Sequence, residues 1–95
     1  MKTLIPTDHA LFRQWDRGID KKVLSKIYPF ITDSGNKKQV ILVMPTFFRT
    51  QGIAGFDNLC LILIVRGKYL ITCYSRNFAE CLFCQKVFSN PQIIC

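Results

Sequence analysis

The sequence predicts an α+β domain in which two N-terminal helices pack on a three- to four-stranded antiparallel sheet and a short C-terminal helix follows. Apolar residues recur at helical spacing in roughly the first third of the chain, whereas Val, Ile and Leu form strand-like runs in the middle. Ninety-five residues, 49% of them hydrophobic, are enough for one modest core. We therefore expect residues 1–95 to form a single domain.

The first helix is predicted over residues 8–17. Thr7 is a suitable N-cap after Pro6, and Gly18 stands where a left-handed residue ends many helices. Leu11 and Trp15 lie four residues apart, which predicts that they form the apolar side that docks on the core.

A second helix is predicted to begin after Asp20 and to end or distort near Pro29. A turn cluster follows at residues 33–36. The apolar positions of this helix share helical spacing, and lysines occupy its predicted solvent side: Val23, Leu24, Ile27, Tyr28 and Ile31 against Lys21, Lys22 and Lys26.

Three strands are predicted next. Residues 39–48 read as a strand, with Pro45 at a bulge or an edge, and a glycine-containing loop follows at residues 51–58. Residues 59–65 are apolar on both faces, which indicates a central strand. Gly67 and Lys68 predict a type II′ hairpin turn into residues 69–76, where Leu70, Thr72, Tyr74 and Arg76 should share one face and Tyr69, Ile71 and Cys73 the other.

Asn77 and Glu80 resemble a capping box that opens a C-terminal helix through about Val87. Apolar residues at Phe78, Leu82, Phe83 and Val87 are typical of a helix that packs on a core. Residues 88–95 are expected either to be loosely attached to the domain or to add a short strand.

The charge balance favours an anionic partner. Thirteen Lys and Arg against six Asp and Glu give a formal net charge of +7. The basic residues are dispersed, so any basic surface has to be assembled by folding. The longest apolar run is too short to cross a bilayer and no signal-peptide core is visible, so we expect a cytoplasmic protein without a membrane partner.

The first helix carries the residues whose side chains are best suited to catalysis or phosphate binding. At 100° per residue, His9, Arg13 and Arg17 fall within about 80° of one another. Imidazole titrates near neutral pH, and guanidinium groups suit phosphate, so this row fits binding or metal-free cleavage of a phosphodiester. A merely solvated charged face is the alternative.

A second group of polar side chains is predicted on the last strand. The hydroxyls of Thr72 and Tyr74 and the guanidinium of Arg76 alternate along it, and together they suit phosphate binding and assisted proton transfer. The alternative is that these residues only form the solvated side of an antiparallel strand and have no role in a site. The group gains weight only if the first helix lies across it.

Five cysteines are present, at positions 60, 73, 81, 84 and 95. The odd count, and the position of Cys60 and Cys73 in apolar strands, predict reduced, buried thiols. Cys81 and Cys84 have a spacing found in zinc and redox sites, but core thiols are favoured over either. With one histidine, no nucleophile elbow and few carboxylates, neither Ser/His chemistry nor a metal-dependent nuclease is favoured, and we expect no metal or other cofactor.

The run His9-Ala10-Leu11-Phe12-Arg13, followed by Arg17-Gly18-Ile19, resembles the H-A-x-x-R-x-x-x-R-G-I opening of small bacterial domains grouped with the BrnT and RelE-like toxins. Residues 70–74 resemble their closing iTvY strand, and the order of elements agrees. The resemblance spans about residues 8–76. It does not account for the cysteine-rich C-terminal segment.

This resemblance implies a RelE-like fold in the barnase/EndoU/colicin/RelE group of metal-free ribonucleases, many of which are toxins neutralised by a partner protein. His9 would be the general base or acid, Arg13 and Arg17 would hold the phosphate, and Thr72 and Tyr74 would complete the site. RNA would be the substrate, contacted also by Lys21, Arg49 and Arg76, and an antitoxin or immunity protein would be the neutralising partner.

Two alternative functions stay open from the sequence. The same basic face could grip nucleic acid or an acidic protein without catalysis, in which case binding would weaken steeply with salt. Alternatively, Tyr28, Phe47 and Phe48 could form an aromatic surface for another protein chain.

Overall fold

The computed structural model describes residues 4–32, 35–88 and 90–95, apart from the side chains at positions 16, 17, 81, 84 and 85. Within these residues the chain forms a five-stranded mixed sheet and four α-helices. In chain order the elements are β1 (Ile5–Pro6), α1 (Asp8–Arg17), α2 (Lys21–Ile27), β2 (Lys38–Val43), α3 (Pro45–Thr50), β3 (Leu59–Arg66), β4 (Tyr69–Asn77), α4 (Phe78–Val87) and β5 (Gln92–Ile94). The α+β class is confirmed.

The sheet has the order β1-β4-β3-β2-β5. The three central strands are antiparallel, as predicted, but β1 pairs in parallel with β4 and β5 pairs in parallel with β2. The expectation of a purely antiparallel sheet of three to four strands is therefore wrong. Both added strands are two or three residues long, too short to show an alternating pattern in the sequence.

Local capping chemistry sets the boundaries of α1 and α2 as predicted. The Thr7 side chain accepts a hydrogen bond from the Ala10 N–H, and Gly18 ends α1 in the left-handed region at φ 66°. The Asp20 side chain caps α2 by accepting from the Lys22 N–H. A 3₁₀ turn (Tyr28–Phe30) containing Pro29 follows α2 directly. Of the predicted turn at residues 33–36, positions 33 and 34 lie outside the described residues.

The orientation predicted for α1 is wrong. Leu11 is 50% exposed and Trp15 80% exposed, whereas Ala10 is fully buried. On a helical wheel Ala10 lies about 100° from His9 in one direction and Trp15 about 120° from it in the other. The small Ala10 side chain lets α1 approach the sheet closely, and this turns the large apolar side chains outward.

The predicted strand over residues 39–48 ends early, at Val43. Pro45 takes the first position of helix α3, where its missing N–H costs nothing. Phe47 and Phe48 thereby enter the core at 2% and 1% exposure, and Tyr28 is buried as well. The alternative in which these three residues form an aromatic surface for another protein chain is therefore wrong.

The main core lies between one face of the sheet and helices α1 to α3. Leu61, Leu63 and Val65 of β3 point into it, together with Leu24 and Ile27 of α2, so the predicted core face of α2 is confirmed. A smaller core on the opposite face contains Leu42, Met44, Cys60 and Ile62. Strand β3 is central and covered on both faces, as predicted.

Helix α4 begins as predicted, with the Asn77 side chain accepting from the Glu80 N–H. It contacts β3 and β4, yet its described apolar side chains are largely exposed, so the prediction that they pack on a core is wrong: Phe78 44%, Leu82 46%, Phe83 67% and Val87 61%. Phe88, just after the helix, supplies the packing on the smaller core instead.

A β-bulge in β4 changes which residues share a face. Thr72 pairs with Ile64 and Leu70 with Val65, which leaves Ile71 as an extra residue. Leu70 and Cys73 consequently both face the main core, so the prediction that Leu70 shares a face with Thr72, Tyr74 and Arg76 is wrong. These last three residues do alternate along one face.

Among the described residues, no helix is long and apolar enough to cross a membrane.

Candidate functional site

A hollow of about 260 Å³ lies at the outer edge of β4, where α1 crosses the strand. Its walls are His9 and Arg13 of α1 and Thr72, Tyr74 and Arg76 of β4. A water molecule occupies about 30 Å³ in the liquid, so there is room for several waters or for a phosphate with part of its sugar. Two groups of residues that are about sixty positions apart in the chain thus meet around one space. We call it the basic hollow.

Thr7 holds the first turn of α1 against β4. Its hydroxyl donates to the Ile71 carbonyl at 3.0 Å while accepting from the Ala10 N–H at 3.2 Å. Its own N–H donates to the Leu70 carbonyl at 3.0 Å. Because these contacts fall at the bulge, His9 and Arg13, on the first and second turns, lie beside the edge of β4 just beyond it.

The β4 wall is partly preorganised. The Arg76 guanidinium lies over the Tyr74 ring, with Cζ 4.7 Å from the ring centroid, and Nη1 donates to the Ser75 carbonyl at 3.0 Å. Glu80 approaches Arg76 Nε at 3.8 Å. These contacts restrict the Arg76 side chain while leaving other N–H donors of its fork for a ligand.

The basic hollow is suited to an anion. None of its five lining residues carries a carboxylate, whereas two carry guanidinium groups. The Thr72 hydroxyl makes no hydrogen bond within the described residues, so it is available to a ligand. His9 is exposed, and its ring has no hydrogen-bond partner in the described part of the chain. The arrangement can bind a phosphate and offers an imidazole for proton transfer.

Behind the basic hollow, Cys73 and Tyr28 are buried in the main core. Burial raises the pKa of the Cys73 thiol to about 11, and the positive charge of Arg13 opposes this to a smaller extent. Burial likewise raises the pKa of Tyr28 to about 12, with a further contribution from Cys73. Arg13 therefore acts electrostatically on the core side of β4 as well as lining the hollow.

We expect the free energy of unfolding to fall as pH rises from about 9 to about 12. Folding raises both pKa values, so the stabilisation is complete below the ordinary values of 9.0 and 10.0 and is lost as pH rises through the folded-state values. Denaturant unfolding across this range measures the fall. Cys73→Ala should make it shallower and Cys95→Ala, at an exposed thiol, should not. If the free energy of unfolding falls equally steeply with pH in wild type and Cys73→Ala, the raised pKa of Cys73 does not contribute to the fall.

The other predicted site residues are placed differently. The Arg17 side chain lies outside the described residues, although α1 reaches that position. Lys21 is exposed at the start of α2 and does not line the basic hollow. Arg49 lines a second, mainly apolar hollow of about 310 Å³ with Asp57 and Phe78. Of the three residues predicted to bind RNA, the basic hollow thus contains Arg76 alone.

The cysteines do not assemble a metal site within the described residues, where no group of three or more His, Cys, Asp or Glu side chains could hold an ion. Cys73 is a free, buried thiol as predicted. The prediction of a reduced thiol at Cys60 is wrong, since Cys60 is disulfide-bonded. Spacing along a sequence does not show which cysteines meet in space. The Cys81 and Cys84 side chains lie outside the described residues.

The sequence analysis did not include Phe12 among the candidate site residues. Phe12 is 54% exposed and lies next to His9 around α1. The available signal was the helical wheel, which separates Phe12 from His9 by about 60°.

The chain matches no protein-family model, no curated protein and no solved structure. The resemblance to RelE and BrnT-like toxins therefore stays a prediction.

Proposed function

We propose that the protein is a toxin-like, metal-independent endoribonuclease that cleaves RNA in the basic hollow by attack of a ribose 2′-hydroxyl on the adjacent phosphate. The observation that carries the proposal is the set of side chains around one space: an imidazole, two guanidiniums and two hydroxyls, with no carboxylate among them. Metal-assisted phosphodiester cleavage ordinarily uses carboxylates to hold the ions, and this lining offers none.

In the proposed reaction, His9 takes the proton from the 2′-hydroxyl. The 2′-oxygen then forms a bond to phosphorus, the bond from phosphorus to the 5′-oxygen breaks, and the departing oxygen takes a proton from a water molecule in the hollow, while His9 releases the proton it accepted to solvent before the next turnover. The products are a 2′,3′-cyclic phosphate and a free 5′-hydroxyl. Arg13 and Arg76 neutralise the negative charge that grows on the phosphate oxygens, and Thr72 and Tyr74 supply further polar contacts to them.

A second candidate is a non-catalytic phosphate-binding module for RNA or DNA. It is favoured by the exposure of His9 and by the lack of a partner for its ring in the described residues. A histidine that acts as a base is usually oriented by a third group. The two functions share the basic hollow and differ in whether His9 does chemistry.

The proposed activity implies a location and a partner. An RNA substrate favours action in the cytoplasm. Thiols are usually kept reduced there, whereas Cys60 is disulfide-bonded in this structure. Activity should therefore be measured both with and without a thiol reductant. A nuclease of this kind needs control in its own cell, and a neutralising antitoxin or immunity protein that covers the basic hollow would provide it.

We expect cleavage of single-stranded RNA to persist in excess EDTA and to fall by about 10- to 100-fold in Arg13→Gln, because a charge-assisted hydrogen bond contributes about 1.5–3 kcal/mol. Gel analysis of an end-labelled RNA measures both effects. Arg66→Gln is the matched control, since Arg66 is exposed at the end of β3 and does not line the basic hollow. Loss of activity with EDTA, or equal activity of the two variants, would remove the mechanism.

A further inference from the structure

Helix α1 exposes two aromatic rings that nothing else in the described structure covers. Phe12 is 54% exposed and Trp15 80% exposed, and their ring centroids lie 6.3 Å apart with the planes tilted by 44°. Leu11 beside them is 50% exposed. Large apolar side chains grouped in this way on a protein surface are a common sign of a binding site.

These rings lie beside the basic hollow, on the same helix. Measured around the helix from His9, Arg13 lies at about 40° in one direction, and Phe12 and Trp15 at about 60° and 120° in the other. A chain that leaves the hollow past His9 therefore meets Phe12 first and Trp15 next. Cationic groups followed by exposed rings are the arrangement that proteins use to bind single-stranded nucleic acids.

We propose that Phe12 and Trp15 are a stacking platform for the bases of single-stranded RNA whose phosphate occupies the basic hollow. The inference rests on the proposed function for its phosphate site. It adds the substrate class, an unpaired strand, because paired bases do not offer their faces to side chains. Sequence preference is expected to be weak, since every base has a flat face that can stack.

A protein partner fits this surface less well. A stable protein interface covers about 800 Å² on each side, whereas one buried aromatic side chain contributes about 150–250 Å². Two rings and Leu11 fall short of that area, and the neighbouring hollow is lined by two guanidiniums and other polar groups rather than by further aliphatic side chains. The net charge of +7 also favours a polyanion.

The single tryptophan of the chain makes the proposal directly measurable. Trp15 fluorescence is followed while the full chain is titrated with a short 2′-O-methyl RNA, which lacks the attacking hydroxyl and stays intact. The comparison ligands are an abasic strand of equal length and a duplex of the same sequence. We expect the single strand to quench the fluorescence, and the abasic strand and the duplex to leave it nearly unchanged.

The affinities of wild type and variants for each strand are measured by fluorescence anisotropy of a labelled strand. Trp15→Leu and Phe12→Leu should each weaken binding of the single strand by on the order of 10-fold and leave the abasic strand unaffected. Phe83→Leu is the matched control, an aromatic that is 67% exposed on α4, and should bind like wild type.

Failure of the platform and failure of the phosphate site give different results. If Arg13→Gln weakens both strands while the abasic strand binds as well as the intact one, stacking is overturned and the phosphate site stands. If Arg13→Gln weakens neither strand while the ring variants still weaken the intact strand, stacking stands and the proposed function fails. If Trp15→Leu instead abolishes self-association and leaves RNA binding unchanged, the rings belong to a protein interface and the proposal is wrong.

Discussion

Replacing His9 with alanine is expected to lower the rate of RNA cleavage by about 10²- to 10⁴-fold, the range in which general acid–base groups contribute. His9 is the only histidine in the chain, so no other imidazole can take over proton transfer. It lies beside Arg13 in the lining of the basic hollow, where the proposed mechanism brings the phosphate. The large factor follows from removing the base while the guanidiniums stay.

The measurement is the single-turnover cleavage rate of a short RNA, together with its affinity for an uncleavable 2′-O-methyl strand. His9→Ala should lose the rate and keep the affinity within a few-fold. Lys86→Ala, at an exposed cation of α4 outside the hollow, should keep both. A His9→Ala protein that cleaves at the wild-type rate would exclude His9 as the base, and absence of cleavage by both proteins together with strong binding would favour the non-catalytic module.

The basic hollow combines features that the sequence shows with one that it does not. Capping residues fix where α1 begins and ends, and strand alternation places Thr72, Tyr74 and Arg76 on one face, so each half of the site could be predicted. Their meeting depends on how α1 lies on β4, which is decided by the Thr7 contacts to Leu70 and Ile71. Such long-range hydrogen bonds leave no local pattern in a sequence.

The errors about apolar residues share one physical cause. Hydrophobicity predicts burial only on average, and large apolar side chains are commonly exposed as well. In α1 the small Ala10 determines the docking side, so Trp15 points to solvent. In α3 the opposite happens, because Pro45 starts a helix and carries Phe47 and Phe48 into the core. Hydrophobic content alone could not distinguish these two outcomes.

β1 and the disulfide lie beyond sequence reasoning for a related reason, whereas β5 is the short strand that was one of two alternatives for residues 88–95. β1 has two residues and β5 three, and each exists only because a longer strand provides its hydrogen-bond partners. The Ile71 bulge likewise reflects pairing with β3 rather than any preference of its own. The sequence likewise does not show which cysteines come close enough in space to bond, and Cys60 was therefore not recognised as disulfide-bonded.

Phe48→Ala is expected to lower the free energy of unfolding by about 3–5 kcal/mol, the usual cost of removing a buried phenylalanine ring. Phe48 is 1% exposed, with its ring stacked on Phe56 at 4.3 Å between centroids and edge-on to Phe47 at 5.8 Å. Truncation leaves a cavity in the main core that these neighbours fill only in part. The loss is comparable to the whole stability of a small domain, which is about 5–15 kcal/mol.

Urea unfolding followed by circular dichroism measures this loss, with Phe83→Ala as the matched control. Phe83 is 67% exposed, so its truncation should change the free energy of unfolding by no more than about 0.5 kcal/mol. If Phe48→Ala does not fold, Phe48→Leu keeps the comparison quantitative, with an expected loss on the order of 1 kcal/mol. Equal, small losses for the Phe48 and Phe83 variants would mean that α3 does not lie in the core. They would return Phe47 and Phe48 to the surface, where they would again be candidates for contact with another protein.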